Sequence, residues 1–148
     1  MDLEFLVVSA LPRGIGELAR LASSEGFGMV RRLVDDYSSG TNTFSKPGEC
    51  LCAVRGEDKV IAIGGINVDP YYKSPSLGRI RHLYVHPDFR RNGIGAGLVG
   101  LIEGEGAKCF DSFQLFTESR VAATFYEALH YVPVEGRWKV SHAKWIGA

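Results

Sequence analysis

The segment from Arg79 to Lys108, RIRHLYVHPDFRRNGIGAGLVGLIEGEGAK, decides the fold because a strand, a basic loop and a glycine-rich helix follow one another in it. Residues 79–85 mix branched, aromatic and polar side chains, which is typical of a pleated, part-buried strand. Apolar residues then recur at helical spacing, at Ile94, Leu98, Leu101 and Ile102.

The glycines at the start of that helix indicate an anion-binding site. Six glycines lie between positions 93 and 106, and each costs about 1 kcal/mol relative to alanine inside a helix. The first of them stand beside Arg90 and Arg91, where a helix N-terminus offers unpaired N–H groups and partial positive charge. Glycine lets an anion approach that backbone closely, so we expect a phosphate cradle here. Gly97 and Gly100 are predicted to ease helix-on-sheet packing, and Gly104 and Gly106 to mark the helix end.

Two motifs carry a resemblance to a known family. Arg90-x-x-Gly93-x-Gly95 after LYVHP resembles the acetyl-CoA pyrophosphate loop of the GNAT N-acetyltransferases. ATFYEALHYVP, at 123–133, is similar to the second signature of that family. The two motifs lie in the family's order, with a predicted strand between them.

The order of predicted elements extends the resemblance to the whole chain. Residues 1–148 form one domain by length, with the order β-α-α-β-β-β-α-β-α-β-β. This order matches the α/β acetyltransferase fold, a mixed, mostly antiparallel sheet of six to seven strands flanked by about four helices.

Composition narrows the class of partner. Lys plus Arg and Asp plus Glu both number 17, and zero net charge argues against broad nucleic-acid binding. No apolar run approaches the ~20 residues of a membrane span, and the N-terminus lacks a signal-like core. Three cysteines without a CxxC motif predict a reduced, cytoplasmic chain. No metal is implied, and a homodimer is left open.

The resemblance implies where acetyl-CoA binds. Backbone groups of the central strand would pair with the pantetheine arm, and N–H groups of the loop and helix start would hold the pyrophosphate. The expected cofactor-binding residues are Leu83, Tyr84, Val85, Arg90, Arg91, Asn92, Gly93, Ile94, Gly95, Ala96 and Ser119. A helix N-cap explains Ser119 equally well.

The resemblance also implies the catalytic groups. A distorted strand in the family offers an N–H to the thioester carbonyl, where negative charge develops as the amine attacks. Tyr126 aligns with a tyrosine that protonates the leaving CoA thiolate, a role that suits a neutral phenol. The alternative is a tyrosine that only packs in the core.

The acceptor side departs from the family. Arg79 stands where several members carry a glutamate or histidine as general base, and an arginine cannot take a proton. Arg81 lies two residues on, hence on the same face, so the pair would suit an acceptor with a carboxylate or phosphate; the alternative is a solvated strand face. Tyr71 and Tyr72 lie in a loop expected to border the acceptor pocket.

Five further residues carry weaker expectations. Trp138 and His142 on the closing hairpin could border the same pocket. His82 and His86 are expected to be surface or capping residues. His130 replaces the usual glycine of the second signature and would take a left-handed conformation, which histidine tolerates.

These features predict direct transfer of acetyl from acetyl-CoA to a primary amine of a small molecule or peptide. A non-catalytic acyl-CoA-binding module is the competing class, and the missing base at Arg79 is its best support. A third class, NAD-dependent oxidoreductases, rests on Gly95-x-Gly97-x-x-Gly100 with Glu118. It is disfavoured because seven residues separate Val85 from Gly93, whereas the fingerprint glycines belong in the turn directly after a strand.

Overall fold

In the computed structural model, which describes residues 2–147, the chain forms a seven-stranded sheet with helices on both faces. Its elements in chain order are β1 (Leu3–Val8), α1 (Ile15–Ser24), α2 (Met29–Ser39), β2 (Cys50–Gly56), β3 (Lys59–Val68), β4 (Leu77–Val85), α3 (Ile94–Gly106), β5 (Ser112–Leu115), α4 (Arg120–Ala128), β6 (Val132–Pro133) and β7 (His142–Trp145), with a 3₁₀ turn at Pro87–Phe89. The predicted fold class and element order are confirmed. None of the helices within 2–147 has the length and apolarity needed to cross a bilayer.

The sheet has the order β1-β2-β3-β4-β5-β7-β6. The first four strands form an antiparallel meander. β5 joins β4 in parallel through three residue pairs only, Leu77–Arg79 with Ser112–Gln114. β7 lies antiparallel between β5 and β6. Past Arg79, β4 therefore runs on without a partner on its β5 side, and a gap opens there.

A separate apolar core lies on each face of the sheet. On one face, α3 packs Leu98 and Ile102 in a cluster with Phe113 of β5. On the other, Leu18 of α1 and Leu33 of α2 pack with Ile63 of β3. Alternate residues of the central strands supply the two cores, as the period of two requires.

A bulge interrupts the pairing of β3 with β4. Ile63 pairs with Tyr84, and Gly65 pairs with Arg81, so residues 82 and 83 of β4 face the single Gly64 of β3. His82 has φ +62 at this point. The distorted strand that the family resemblance implied is thus present in β4.

The glycines of α3 divide between close packing and open surface. A Cβ on Gly97 would lie 2.9 Å from the Phe5 ring, so that glycine does let β1 and α3 approach closely. A Cβ on Gly100 would meet nothing within 4 Å; the predicted packing role for Gly100 is wrong, because it faces solvent. Gly106 is the last residue of the helix, as predicted.

Candidate active site

The gap between β4 and β5 is the first component of the site. Leu83, Tyr84 and Val85 lie in the part of β4 that has no partner strand on this side. The Val85 carbonyl accepts from Arg90. The other outward backbone groups of this segment have no partner within residues 2–147 and can pair with an extended ligand, as an added strand would.

The second component is a run of free amides at the start of α3. Gly93 is the N-cap, with φ +75 and no side-chain cap. Among residues 2–147, the backbone N–H groups of 91–96 have no acceptor. Residues 91–93 are exposed, and the helix behind them is 13 residues long. The expected cofactor residues of this loop therefore present consecutive donors and positive helix-dipole potential to solvent.

The side chain of Arg90 points away from this cradle. Its Nε donates to the Val85 carbonyl at 2.9 Å, and its Nη1 and Nη2 donate to the Glu25 carboxylate at 3.0 and 2.7 Å. Tyr84 also donates its hydroxyl to Glu25. The Arg90 guanidinium lowers the pKa of Glu25, while burial and that carboxylate raise the pKa of Tyr84 to about 12. Arg90 thus ties the loop to the end of α1. Arg91 is exposed and has no carboxylate partner within residues 2–147.

The start of α4 confirms the capping role of one predicted residue. The Ser119 Oγ accepts a hydrogen bond from the Ala122 N–H at 3.2 Å. Its own hydroxyl proton stays available, so a cofactor contact for Ser119 stays a prediction.

Tyr126 lies deeper than its place on the helix suggested. Its side chain is 7% exposed, and its ring packs edge-on against Phe125 and Tyr131 at centroid distances of 5.0 and 5.5 Å. No other group within residues 2–147 hydrogen-bonds its hydroxyl. Burial raises the pKa of Tyr126 above its usual value, so the phenol is fully protonated at neutral pH and can serve as a proton donor.

Arg79 is held in a buried network. Its Nε donates to Asp69 Oδ2 at 2.8 Å and its Nη1 to the Lys139 carbonyl at 2.7 Å. Gln114 Nε2 donates to the same Asp69 oxygen at 2.8 Å. With 4% exposure, Arg79 does not lie on a solvated strand face, so that alternative is wrong. Only its Nη2, which is buried and without a partner in the described chain, is free to meet a ligand.

Arg81 shares the face of Arg79, as the strand period predicted. It is half-buried, and its Nη1 lies 3.5 Å from Asn67 Oδ1. Asn67 is in turn held by Asn42 and Glu49 at 2.9 Å each. Within residues 2–147 no carboxylate pairs with Arg81, so its charge is available for an acceptor.

Tyr71 and Tyr72 are docked against the segment before β7. The Tyr71 ring lies edge-on to Trp138 at 5.3 Å and under the Arg79 guanidinium at 5.0 Å. The Tyr72 hydroxyl donates to the Trp138 carbonyl at 2.5 Å. Tyr72 also lines a cavity of about 600 Å³ together with Leu77, Ser112, Gln114, Val134 and Arg137. That cavity lies at the paired end of β4 and β5, away from the gap.

The four histidines have different surroundings. His82 was expected at the surface or as a cap, and this is wrong: it is 8% exposed, beneath the start of α2. His86 does cap the 3₁₀ turn by accepting from the Asp88 N–H, and His130 does have a left-handed φ of +74. The expectation that His142 borders the acceptor pocket is wrong, because its Nε2 lies 2.8 Å from Glu127 on the α4 face.

Several site residues escaped the sequence analysis. Asn67 and Gln114 carried a signal, since each is an amide in an otherwise apolar strand and each is buried. Glu25 and Asp69 carried none, because their partners become neighbours only through the tertiary fold.

Comparison with known proteins agrees with this geometry. The sequence model of the acetyltransferase (GNAT) domain matches residues 46–133, more than half of the chain. The chain belongs to the GNAT acetyltransferase family. No curated protein sequence matches it.

Solved structures show the same architecture. A crystal structure described as an acetyltransferase from Exiguobacterium sp. 255-15 is 29% identical, with TM-score 0.85, over 98% of this chain and 94% of that one. A GNAT-family structure from Desulfovibrio desulfuricans has TM-score 0.76 at 14% identity, over 99% and 100% of the two chains. PaiA N-acetyltransferase from Thermoplasma acidophilum, solved with coenzyme A, has TM-score 0.67 at 13% identity, over 98% and 99%. The last two show the fold alone.

The glycine spacing that resembles an NAD-binding fingerprint is coincidental. Gly95, Gly97 and Gly100 all lie inside α3, and none is in a turn directly after a strand. The NAD-dependent class is therefore wrong for this protein.

Proposed function

We propose that this protein transfers an acetyl group from acetyl-CoA directly to a primary amine of a small molecule or peptide. The observation that carries the proposal is the run of free N–H groups at 91–96, set where α3 begins after the unpaired end of β4. A pyrophosphate fits these donors, and a pantetheine arm fits the open strand edge.

Each part of the site has its own role in the proposed transfer. When bound, acetyl-CoA supplies an activated thioester, and backbone groups of Leu83–Val85 orient it in the gap. A backbone N–H at the bulge stabilises the negative charge that develops on the carbonyl oxygen. Tyr126, kept neutral by burial, gives its proton to the departing thiolate. Holding both reactants side by side supplies the advantage of proximity.

Two measurements test the proposal. Acetyl-CoA should raise the melting temperature and NAD should not, since only a ligand of the native state stabilises it. Turnover should then be measured with a panel of amines by following release of the free CoA thiol. A melting temperature unmoved by acetyl-CoA would contradict the assigned cofactor.

The competing proposal is a non-catalytic acyl-CoA-binding module. Its support is that Arg79, at the usual position of the base, is an arginine engaged with Asp69. It predicts the same melting shift with acetyl-CoA but no CoA release with any amine.

A further inference from the structure

His82 combines three unusual features at one position. It is the bulged residue of β4, with φ +62, in a region that non-glycine residues seldom occupy. Its ring is 8% exposed and lies edge-on to Phe44, with the centroids 6.4 Å apart. Backbone strain of this kind often persists where function requires it.

One hydrogen bond of the ring fixes its tautomer. Nδ1 lies 2.9 Å from the Met29 carbonyl oxygen, and a carbonyl can only accept, so Nδ1 carries the hydrogen. Nε2 of the neutral ring is then a bare acceptor. It is buried and has no partner in the described part of the chain, an arrangement that destabilises the folded protein. Burial, with Arg81 and Arg32 nearby, lowers the pKa of His82 to about 4, so the ring is neutral at pH 7.

Three carboxylates near β4 on the same face of the sheet are already engaged. Glu49 accepts from the Lys46 N–H, the Val68 N–H and Asn67. Both Asp69 oxygens are occupied, by Arg79 and Gln114 and by two loop N–H groups.

Glu25 is likewise occupied, because it accepts from Nη1 and Nη2 of Arg90 and from the Tyr84 hydroxyl. Arginines offer no lone pair. His82 Nε2 is a buried proton acceptor beside the bulge with no partner in the described part of the chain.

We propose that His82 is the general base of the transfer, which rests on the proposed function. The amine arrives from the α1/α2 face, its nitrogen bonds to the acetyl carbon, and its proton passes to His82 Nε2 directly or through one water. The C–S bond breaks, and the thiolate takes the Tyr126 proton. Water then returns the proton from His82 to the Tyr126 phenolate, so both residues are restored.

The test compares histidine variants on one accepted amine. His82→Asn tolerates the left-handed backbone and can donate to Met29 through its amide, but has no basic nitrogen. His82→Gly fits the same φ and leaves room for added imidazole. His130→Asn is the matched control, since His130 is exposed and also has positive φ, +74.

In His82→Asn, kcat/KM for the amine should fall about 10²–10⁴-fold while the Kd for acetyl-CoA stays unchanged. Imidazole should restore part of the activity of His82→Gly, which a purely structural role would not allow. His130→Asn should match wild type.

Undiminished turnover by folded His82→Asn would overturn this assignment alone, as would a His82→Gly activity indifferent to imidazole. Failure of the wild-type protein to acetylate any amine would overturn the proposed function, and this assignment with it.

Discussion

Breaking the buried ion pair of Arg79 and Asp69 should destabilise the fold strongly, and Asp69→Asn removes the charge of one partner. Arg79 Nε lies 2.8 Å from Asp69 Oδ2, and the two side chains are 5% and 0% exposed. Asparagine keeps the shape of aspartate but leaves the guanidinium buried beside a neutral group. One amide N–H would also face the donors of Arg79 and Gln114. Removing one member of a buried pair costs about 3–5 kcal/mol.

An exposed pair supplies the matched control. Arg55 and Glu4 face each other across β2 and β1 at 2.7 Å, with side-chain exposures of 46% and 55%. Water and salt screen an exposed pair, and holding two long side chains together costs entropy. Glu4→Gln should therefore barely change stability although it breaks an equally short contact.

The assay is urea and thermal unfolding followed by circular dichroism at pH 7. At about 2–4 °C per kcal/mol for a chain of this size, Asp69→Asn should melt roughly 6–20 °C lower than wild type. If both variants changed stability by less than 1 kcal/mol, the pair would not be holding the fold, and Arg79 would be free to bind an acceptor.

Three further changes have definite expected outcomes. Gly93→Val should weaken CoA binding at least tenfold, about 1.4 kcal/mol, as measured by titration calorimetry. Gly136→Val is the control because it meets the same backbone strain, at φ +73 in open space, and it should leave CoA binding intact. Equal losses of affinity in the two variants would contradict the assignment of the phosphate cradle. Tyr126→Phe should lower kcat by about 10²–10⁴-fold with little change in stability or acetyl-CoA affinity. Equal kcat values, measured where the absence of a pre-steady-state burst shows that product release is not rate-limiting, would make Tyr126 a packing residue. Because the pKa of His82 falls from 6.5 to about 4 on folding, the unfolded chain binds more protons between these values, so stability should fall as pH drops from 6.5 towards 4. His82→Asn should lose that part of the slope in a series of melting curves, and an unchanged slope would place the titration elsewhere.

The elements were predictable because their signals are local. Helical spacing, the glycines at the start of α3 and the N-cap at Ser119 all act within a few residues. The family's motif order supplied the topology, including the distorted strand.

The surroundings of the site depend on contacts far apart in the chain. Arg90 looked free in sequence, and nothing local indicates that Glu25 meets it, 65 residues away. The prediction that His82 lies at the surface or caps a helix was wrong for another reason. Strict alternation would place it on the face opposite Arg81, but the bulge turns it towards α2, where Met29 holds it. Alternation therefore fails at the one irregular pair of β4, which is where the inferred proton acceptor lies.

The three-pair ladder between β4 and β5 also shapes how the protein opens. β2, β3 and β4 follow one another through short loops, and β1 is joined to them through α1 and α2. β5, β7 and β6 attach to these strands through that ladder, through Phe113 in the core and through a few polar contacts, among them Arg79 with the Lys139 carbonyl and Gln114 with Asp69. Such a boundary separates cooperative units in native-state exchange. The amides of β5 to β7 should accordingly exchange through partial openings that leave the meander protected. The same short ladder that leaves room for a ligand would then let residues 112–147, about a quarter of the chain, detach as a unit.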